Sequence, residues 1–216
     1  MPSIAFDCDG TLVDSEPLHN LADVTVLARY GLKIDPREHL RRSTGVGRSI
    51  MMRVIEKEHG IKLPGDIILE IEDELHRLVA VELKPVAHVP QILSALAQRG
   101  ARMAVASNSH GAYIDQALTT CRIRHYFGDR ISSSDRVARL KPAPDIYLLA
   151  ASLLDSPSEK CIAVEDSEAG VVAAHAAGMH TIAYCPPGHV FTPEQLKRAG
   201  ARSVMTDFDE LLELVA

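Results

Sequence analysis

The chain has 216 residues, 46% of them hydrophobic, enough for one domain of ordinary size plus a smaller insert and too apolar for wholesale disorder. Its formal charge of −6 argues against a general nucleic-acid or membrane-surface binder, because both partners are anionic. The four cysteines, at 8, 121, 161 and 185, have neither CxxC spacing nor the density of a disulfide framework and read as small buried hydrophobes. No apolar run approaches the roughly 18 residues of a membrane span. Met1-Pro2-Ser3 enters an apolar segment with no basic or apolar leader, so a reducing cytoplasm is the expected compartment, with no obligate protein partner indicated.

The first element is the apolar run Ile4-Ala5-Phe6, too short for a helix and suited to a strand buried on both faces. Asp7-Cys8-Asp9-Gly10-Thr11 follows at once. In an extended segment Asp7 and Asp9 point the same way and Cys8 the other, and Gly10 permits a tight turn. Two converging carboxylates suit a hard cation such as Mg²⁺, or a division of roles between attack and proton transfer. Cys8, expected to point into the fold with no histidine beside it in sequence, is a poor nucleophile.

From about Glu16 to Leu83 the pattern is helical. Leu18, Leu21 and Leu27 are expected on one face, Ile50, Met51, Val54 and Ile55 on another, and Ile67, Ile68, Ile71, Leu75 and Leu78 on a third. This reads as a helical insert over residues 15–84, with Val13-Asp14-Ser15 and Lys84-Pro85-Val86 as its two crossings, and residues 1–14 and 85–216 forming an α/β core. Within the insert, Gly45-Val46-Gly47-Arg48 lacks the strand and third glycine of a dinucleotide fingerprint and reads as a loop over the active site. The ten histidines form no HxH or HExxH arrangement that would suggest zinc.

Beyond residue 85 short apolar runs alternate with helical stretches. Met103 to Ala106, Cys161 to Val164 and Thr181 to Tyr184 read as strands, and Pro144 to Leu154 and Ser167 to Ala177 as helices, which implies βαβ units on a parallel sheet. In such sheets chemistry sits beyond the carboxyl ends of the strands. There the sequence places Ser107-Asn108, at the expected start of a helix and suited to an anion. Lys141 precedes Pro142-Ala143-Pro144 in a stiff turn, and Glu165-Asp166 closes a third strand. Taken singly, Ser107 is an ordinary helix cap, Lys141 a solvated lysine and Asp166 or Ser167 an N-cap.

The ordered set Asp-x-Asp, Ser-Asn, Lys and Glu-Asp on successive strand ends resembles the haloacid dehalogenase-like hydrolase superfamily, over the whole chain. The stretch DGTLVDSEPLH is similar to the branch holding phosphosugar phosphatases and β-phosphoglucomutase. The resemblance implies a three-layer Rossmann-like core with a helical cap, and Mg²⁺-dependent hydrolysis of a small phosphorylated metabolite through an aspartyl-phosphate. By the same resemblance Asp7 attacks phosphorus and Asp9 serves as acid and base. Mg²⁺ is held by Asp7, the Asp9 carbonyl and Asp166, with Glu165 near or acting through water. Ser107, Asn108 and Lys141 receive phosphate oxygens, while His19 and Arg48 align with cap-side groups that close over substrate. A phosphosugar mutase is the alternative, although that enzyme uses a lysine in the last cap helix where this chain reads Ile71-Glu72-Asp73-Glu74-Leu75. A phosphoaspartate receiver is a further alternative, opposed by the helical insert and by Asp9.

Overall fold

The computed structural model describes residues 2–43 and 48–215. In chain order the elements are β1 (Ser3–Phe6), α1 (Glu16–Arg29), α2 (Pro36–Ser43), α3 (Arg48–His59), α4 (Ile67–Glu82), α5 (Val89–Gln98), β2 (Arg102–Ala106) and α6 (Gly111–Thr120). There follow β3 (Ile131–Ser132), α7 (Asp145–Leu153), β4 (Cys161–Glu165), α8 (Glu168–Ala176), β5 (His180–Tyr184), α9 (Pro193–Ala199), β6 (Ser203–Met205) and α10 (Leu211–Leu214). The chain divides into two compact units, one running up to Asp14 and again from Lys84 onward, the other Ser15–Leu83.

The first unit is an α/β fold on a six-stranded, all-parallel sheet ordered β3-β2-β1-β4-β5-β6. Successive side chains of its strands point to opposite faces. Ala5, Ala104 and Ala163 join Ile146, Tyr147, Ala150 and Ala174 in one cluster beneath α7 and α8. On the alternate positions Ile4, Phe6, Met103 and Val105 are also buried, and Phe6 meets Phe127 edge to face at 6.3 Å. A sheet covered on both faces explains the unbroken apolar runs. The small alanines on one side let the helices sit close, while the bulk lies on the other. The strand order reverses between β1 and β4, and the crevice at such a reversal is where doubly wound sheets place their ligands.

The sequence signals missed β3 and β6, of two and three residues, which lie at the two sheet edges. Helix α6 begins at Gly111 with His110 as its N-cap, so Ser107 and Asn108 lie in the preceding loop and not at the helix start expected for them. The two crossings pair with each other: Asp14 N donates to the Lys84 carbonyl at 2.9 Å, and Val86 N to that of Leu12 at 3.1 Å.

The second unit holds α1 to α4 with no strand among its described residues. Leu18 and Leu27 are buried, but Leu21 is 37% exposed, and the inward face is completed by Ala22, Asp23 and Val26. Ile50 is 51% exposed, and Met52 takes the buried position beside Met51 and Ile55. Ile67, Ile71, Leu75 and Leu78 are buried, Ile68 only partly. In α4, Glu74 is buried between the guanidinium groups of Arg29 and Arg77, each at 2.6 Å. Residues 45–47 of the expected active-site loop lie outside the described residues.

In the first unit His88 caps α5 with φ 67°, and its Nδ1 lies 2.8 Å from Asp207 and 3.0 Å from Asp209. The hydrogen bond to Asp207, and then the two charges, raise the His88 imidazole above its usual range. A raised folded value stabilises the fold below the unfolded value of about 6.5, and the effect disappears as pH rises through the folded value. The stability difference between wild type and His88→Asn, whose asparagine tolerates the left-handed backbone, should be larger at about pH 5.5 than at about pH 9 in urea titrations. Equal differences would contradict this account of the pair.

Candidate active site

Asp7 follows β1 directly, and its backbone N–H donates to Val164 of β4 at 2.9 Å, fixing it at the strand reversal. The chain then turns: Leu12 N and Val13 N both donate to the Cys8 carbonyl, with Gly10 at φ +80°. A Cβ at Gly10 would come within 2.3 Å of Asp166 Oδ2, so glycine suits both the turn and the approach of the Asp166 side chain. Cys8 is fully buried, and burial, with the Asp9 and Asp7 charges, pushes its thiol up and away from thiolate chemistry.

The centre of the site is Lys141. Its Nζ lies 2.5 Å from Asp7 Oδ1 and 2.5 Å from Glu165 Oε1, with its side chain 4% exposed, and it sits 5.0 Å above the Tyr147 ring. Burial alone would lower the lysine. The Asp7 and Glu165 carboxylates more than offset burial and hold the ammonium above its usual range. The peptide between Lys141 and Pro142 is cis. Asn108 Oδ1 accepts from Lys141 N at 2.9 Å and its Nδ2 donates to Lys141 O at 3.4 Å, tying the lysine's backbone to the end of β2.

Glu165 is fully buried and both of its oxygens are taken. Oε1 accepts from Lys141 and from the Tyr147 hydroxyl at 3.1 Å, and Oε2 accepts from Ser167 N at 2.9 Å and Ser167 Oγ at 3.0 Å. Ser167 in turn caps α8 by accepting from Gly170 N. Asp166 accepts from Thr11 Oγ1 at 3.2 Å, and His189 Nε2 lies 3.6 Å from its other oxygen. Carboxylate oxygens of Asp7, Glu165 and Asp166 lie within 4.8 Å of one another.

Three carboxylates face one ammonium. Burial raises the Asp7 and Asp166 carboxyls, and the neighbouring carboxylates push the same way against Lys141 and, for Asp166, His189. An all-oxygen donor set with uncompensated negative charge fits a hard divalent cation. Asp7 Oδ1 and the Asp166 oxygens each have one neighbour and keep lone pairs to offer, whereas Glu165 is already saturated by four donors.

Asp9 is held apart from those three carboxylates. Ser109 Oγ donates to its Oδ2 at 2.8 Å and the Tyr113 hydroxyl to its Oδ1 at 2.9 Å. Ser107 is 2% exposed; its N–H donates to Ser132 O of β3, and its Oγ accepts from Ser109 N at 3.0 Å. In the second unit Arg48 Nε donates to Asp23 Oδ1 at 2.9 Å, and its Nη2 lies 3.0 Å from His19 Nδ1.

A family model for haloacid dehalogenase-like hydrolases matches residues 4–184, and the chain belongs to that family. It is 33% identical over 188 residues to the 6-phosphogluconate phosphatase of Escherichia coli K12, covering 87% of this chain and 84% of that protein. It is 31% identical over 179 residues to the fructose-1-phosphate phosphatase YqaB of the same organism, covering 83% and 94% respectively. Among solved structures, a family hydrolase from Deinococcus radiodurans R1 with bound phosphate and sodium superposes with a TM-score of 0.83 at 29% identity, covering 98% of this chain and 93% of that one.

Helix α8 approaches so closely that a Cβ at Gly170 would stand 1.7 Å from Glu165 Oε1, a carboxylate that four donors prevent from moving aside. Gly170→Ala gains about 1 kcal/mol of helix propensity. Overpacking of this severity costs about 1–3 kcal/mol, and the displaced carboxylate leaves Lys141 half-paired. The variant should therefore melt lower than wild type and lose most of its turnover. A higher melting temperature would show that Glu165 has room to move.

Proposed function

We infer that the chain is a Mg²⁺-dependent phosphoric monoester hydrolase that acts on small phosphorylated metabolites of the sugar phosphate class through an aspartyl-phosphate. Family membership and the two phosphatase relatives support the reaction class. The observation that carries the mechanism is the way Lys141 divides the two oxygens of Asp7. Oδ1 is bound to the ammonium, while Oδ2 makes no hydrogen bond among the described residues and is the atom assigned to attack.

Asp7 Oδ2 attacks phosphorus, the P–O bond to the leaving group breaks, and Asp9 supplies the proton that the departing oxygen takes. Asp9 then accepts a proton from the water that attacks phosphorus in the aspartyl-phosphate. The water's oxygen leaves in inorganic phosphate, and Asp7 is restored. Ser109 and Tyr113 each donate to one oxygen of the Asp9 carboxyl and so orient it. Ser107, Asn108 and the Lys141 ammonium are assigned to the phosphate oxygens. In phosphoryl transfer the protein's work is mostly positioning and neutralisation of charge on those oxygens.

Asp7, Asp166 and the Asp9 carbonyl are assigned to Mg²⁺, with Glu165 anchoring Lys141 behind them. When bound, the cation neutralises the surplus carboxylate charge and the charge on the phosphoryl group. The helical second unit is read as the cap, which supplies His19 and Arg48 to the remainder of the substrate. No helix among the described residues is long and apolar enough to cross a membrane.

Phosphate release from para-nitrophenyl phosphate and a panel of sugar phosphates should require Mg²⁺ and stop with a chelator. Asp7→Asn should abolish it, and turnover by that variant near the wild-type rate would reject the nucleophile. Asp9→Asn should bind a non-reactive phosphate analogue within a few-fold of wild type while kcat falls by about 10²–10⁴, the usual contribution of general acid–base catalysis. Unchanged kcat would remove Asp9 from that role. Parallel loss of binding and rate would make it a structural ligand.

A further inference from the structure

In the second unit, a buried histidine and a buried aspartate stand behind Arg48. Asp23 lies on the inward face of α1 and is 6% exposed; His39 on α2 is 2% exposed. His39 Nε2 is 3.0 Å from Asp23 Oδ2, and Arg48 Nε is 2.9 Å from Asp23 Oδ1, so one carboxylate accepts from a different side chain on each oxygen. Arg48 Nη2 reaches His19 Nδ1 at 3.0 Å. An arginine only donates, so Nδ1 of His19 is the acceptor and the ring hydrogen resides on Nε2. Likewise Asp23, as a carboxylate, requires a hydrogen on His39 Nε2.

The chain of contacts runs His39, Asp23, Arg48, His19 and ties α1, α2 and α3 together. Arg48 is 22% exposed at its side chain, and its Nη1 makes no hydrogen bond among the described residues. Asp23 is the one carboxylate that the described residues bring to it. The guanidinium is therefore aimed by a buried carboxylate whose other oxygen is held by His39.

We propose that Asp23, fixed by His39, is a positioning and specificity residue: by neutralising and aiming Arg48 it makes the second unit a donor of hydrogen bonds to an uncharged, hydroxylated substrate remainder and disfavours a second phosphate. This rests on the reading of Arg48 as a substrate-side group. A free arginine would attract a second anion through its net charge and its fork of donors. Paired with Asp23 it keeps donors for hydroxyl oxygens, while a second phosphate meets the Asp23 carboxylate as well as the cation. Discrimination of this kind comes from the repulsive element as much as from the attractive one.

The test measures fructose 6-phosphate and fructose 1,6-bisphosphate as competitors of para-nitrophenyl phosphate hydrolysis, so neither needs to be turned over. In Asp23→Asn, with melting temperature confirming the fold, the Ki for the bisphosphate relative to that for the monophosphate should fall about five- to tenfold, the scale of one partly buried charge. Arg48→Gln leaves Asp23 uncompensated and should shift the ratio the other way, and it carries the test alone if Asp23→Asn fails to fold. An unchanged ratio in folded Asp23→Asn overturns the proposal. If Arg48→Gln alters neither Ki, Arg48 is not on the substrate side and the proposal falls, while the phosphatase assignment, tested through Asp7, stands. Absence of para-nitrophenyl phosphate hydrolysis in wild type would instead reject the phosphatase assignment itself.

Discussion

A lysine ammonium removed from water is tolerated only where opposite charge surrounds it, since the effective penalty of burying an ion is several kcal/mol. Lys141 meets that condition by spanning Asp7 and Glu165, and much of the first unit is arranged to keep the three together. The Asn108 side chain holds the lysine's backbone, Tyr147 lies beneath its side chain, and Ser167 secures the far oxygen of Glu165. Removing any one carboxylate leaves a buried cation half-satisfied, and removing the cation leaves two carboxylates in mutual repulsion. The arrangement contributes little to stability relative to an apolar core of the same volume. Its value lies in giving Asp7 one occupied oxygen and one available one.

That cluster depends on the topology of the sheet. Asp7 directly follows β1 and Glu165 ends β4, adjacent strands on either side of the point where the strand order reverses, where doubly wound sheets place their ligands. Lys141 is delivered by the loop before α7, and α7 packs against β1, β2 and β3 through the alanine-lined face. Small residues on that face set how close α7 and α8 can come, and with them how deeply Tyr147 and Gly170 reach toward Glu165.

The central strands were legible because burial on both faces demands an unbroken apolar run, as in Ile4-Ala5-Phe6 and Cys161 to Val164. The edge strands β3 and β6 were not, because two or three residues with one neighbour leave no periodicity to read. Asp7, Asp9, Lys141, Glu165 and Asp166 could be selected from residue type and position after a strand. Ser109, Tyr113, Tyr147, Thr11 and His189 could not, since they act through contacts reaching across about 18 to 155 positions of chain that only the packing creates. His189 in particular follows Pro186-Pro187-Gly188, a loop whose residues say only that it turns. Leu21 and Ile50 were misplaced for a different reason. Helical spacing alone cannot distinguish a buried stripe from its flank, and the inward face of α1 is completed by Ala22, Asp23 and Val26 without Leu21.

The pairing of β1 on both sides, Ala5 with Ala104 and with Ala163, has a consequence for errors in assembly. Side chains alternate along a strand, so sliding β1 by one residue would bring Cys8 to the position of Asp7 and turn the carboxylate away from Lys141. Sliding it by two would substitute Asp9 and restore a carboxylate, but would draw Cys8 and Gly10 out of the turn that closes onto Val13. What opposes the slip by one is the alternation along β1, where the small Ala5 packs in the cluster beneath α7 and α8 and the bulky Ile4 and Phe6 occupy the alternate positions. That slip would carry Ala5 to the side of Ile4 and Phe6, so the packing that lets α7 and α8 sit close also sets where the nucleophile stands.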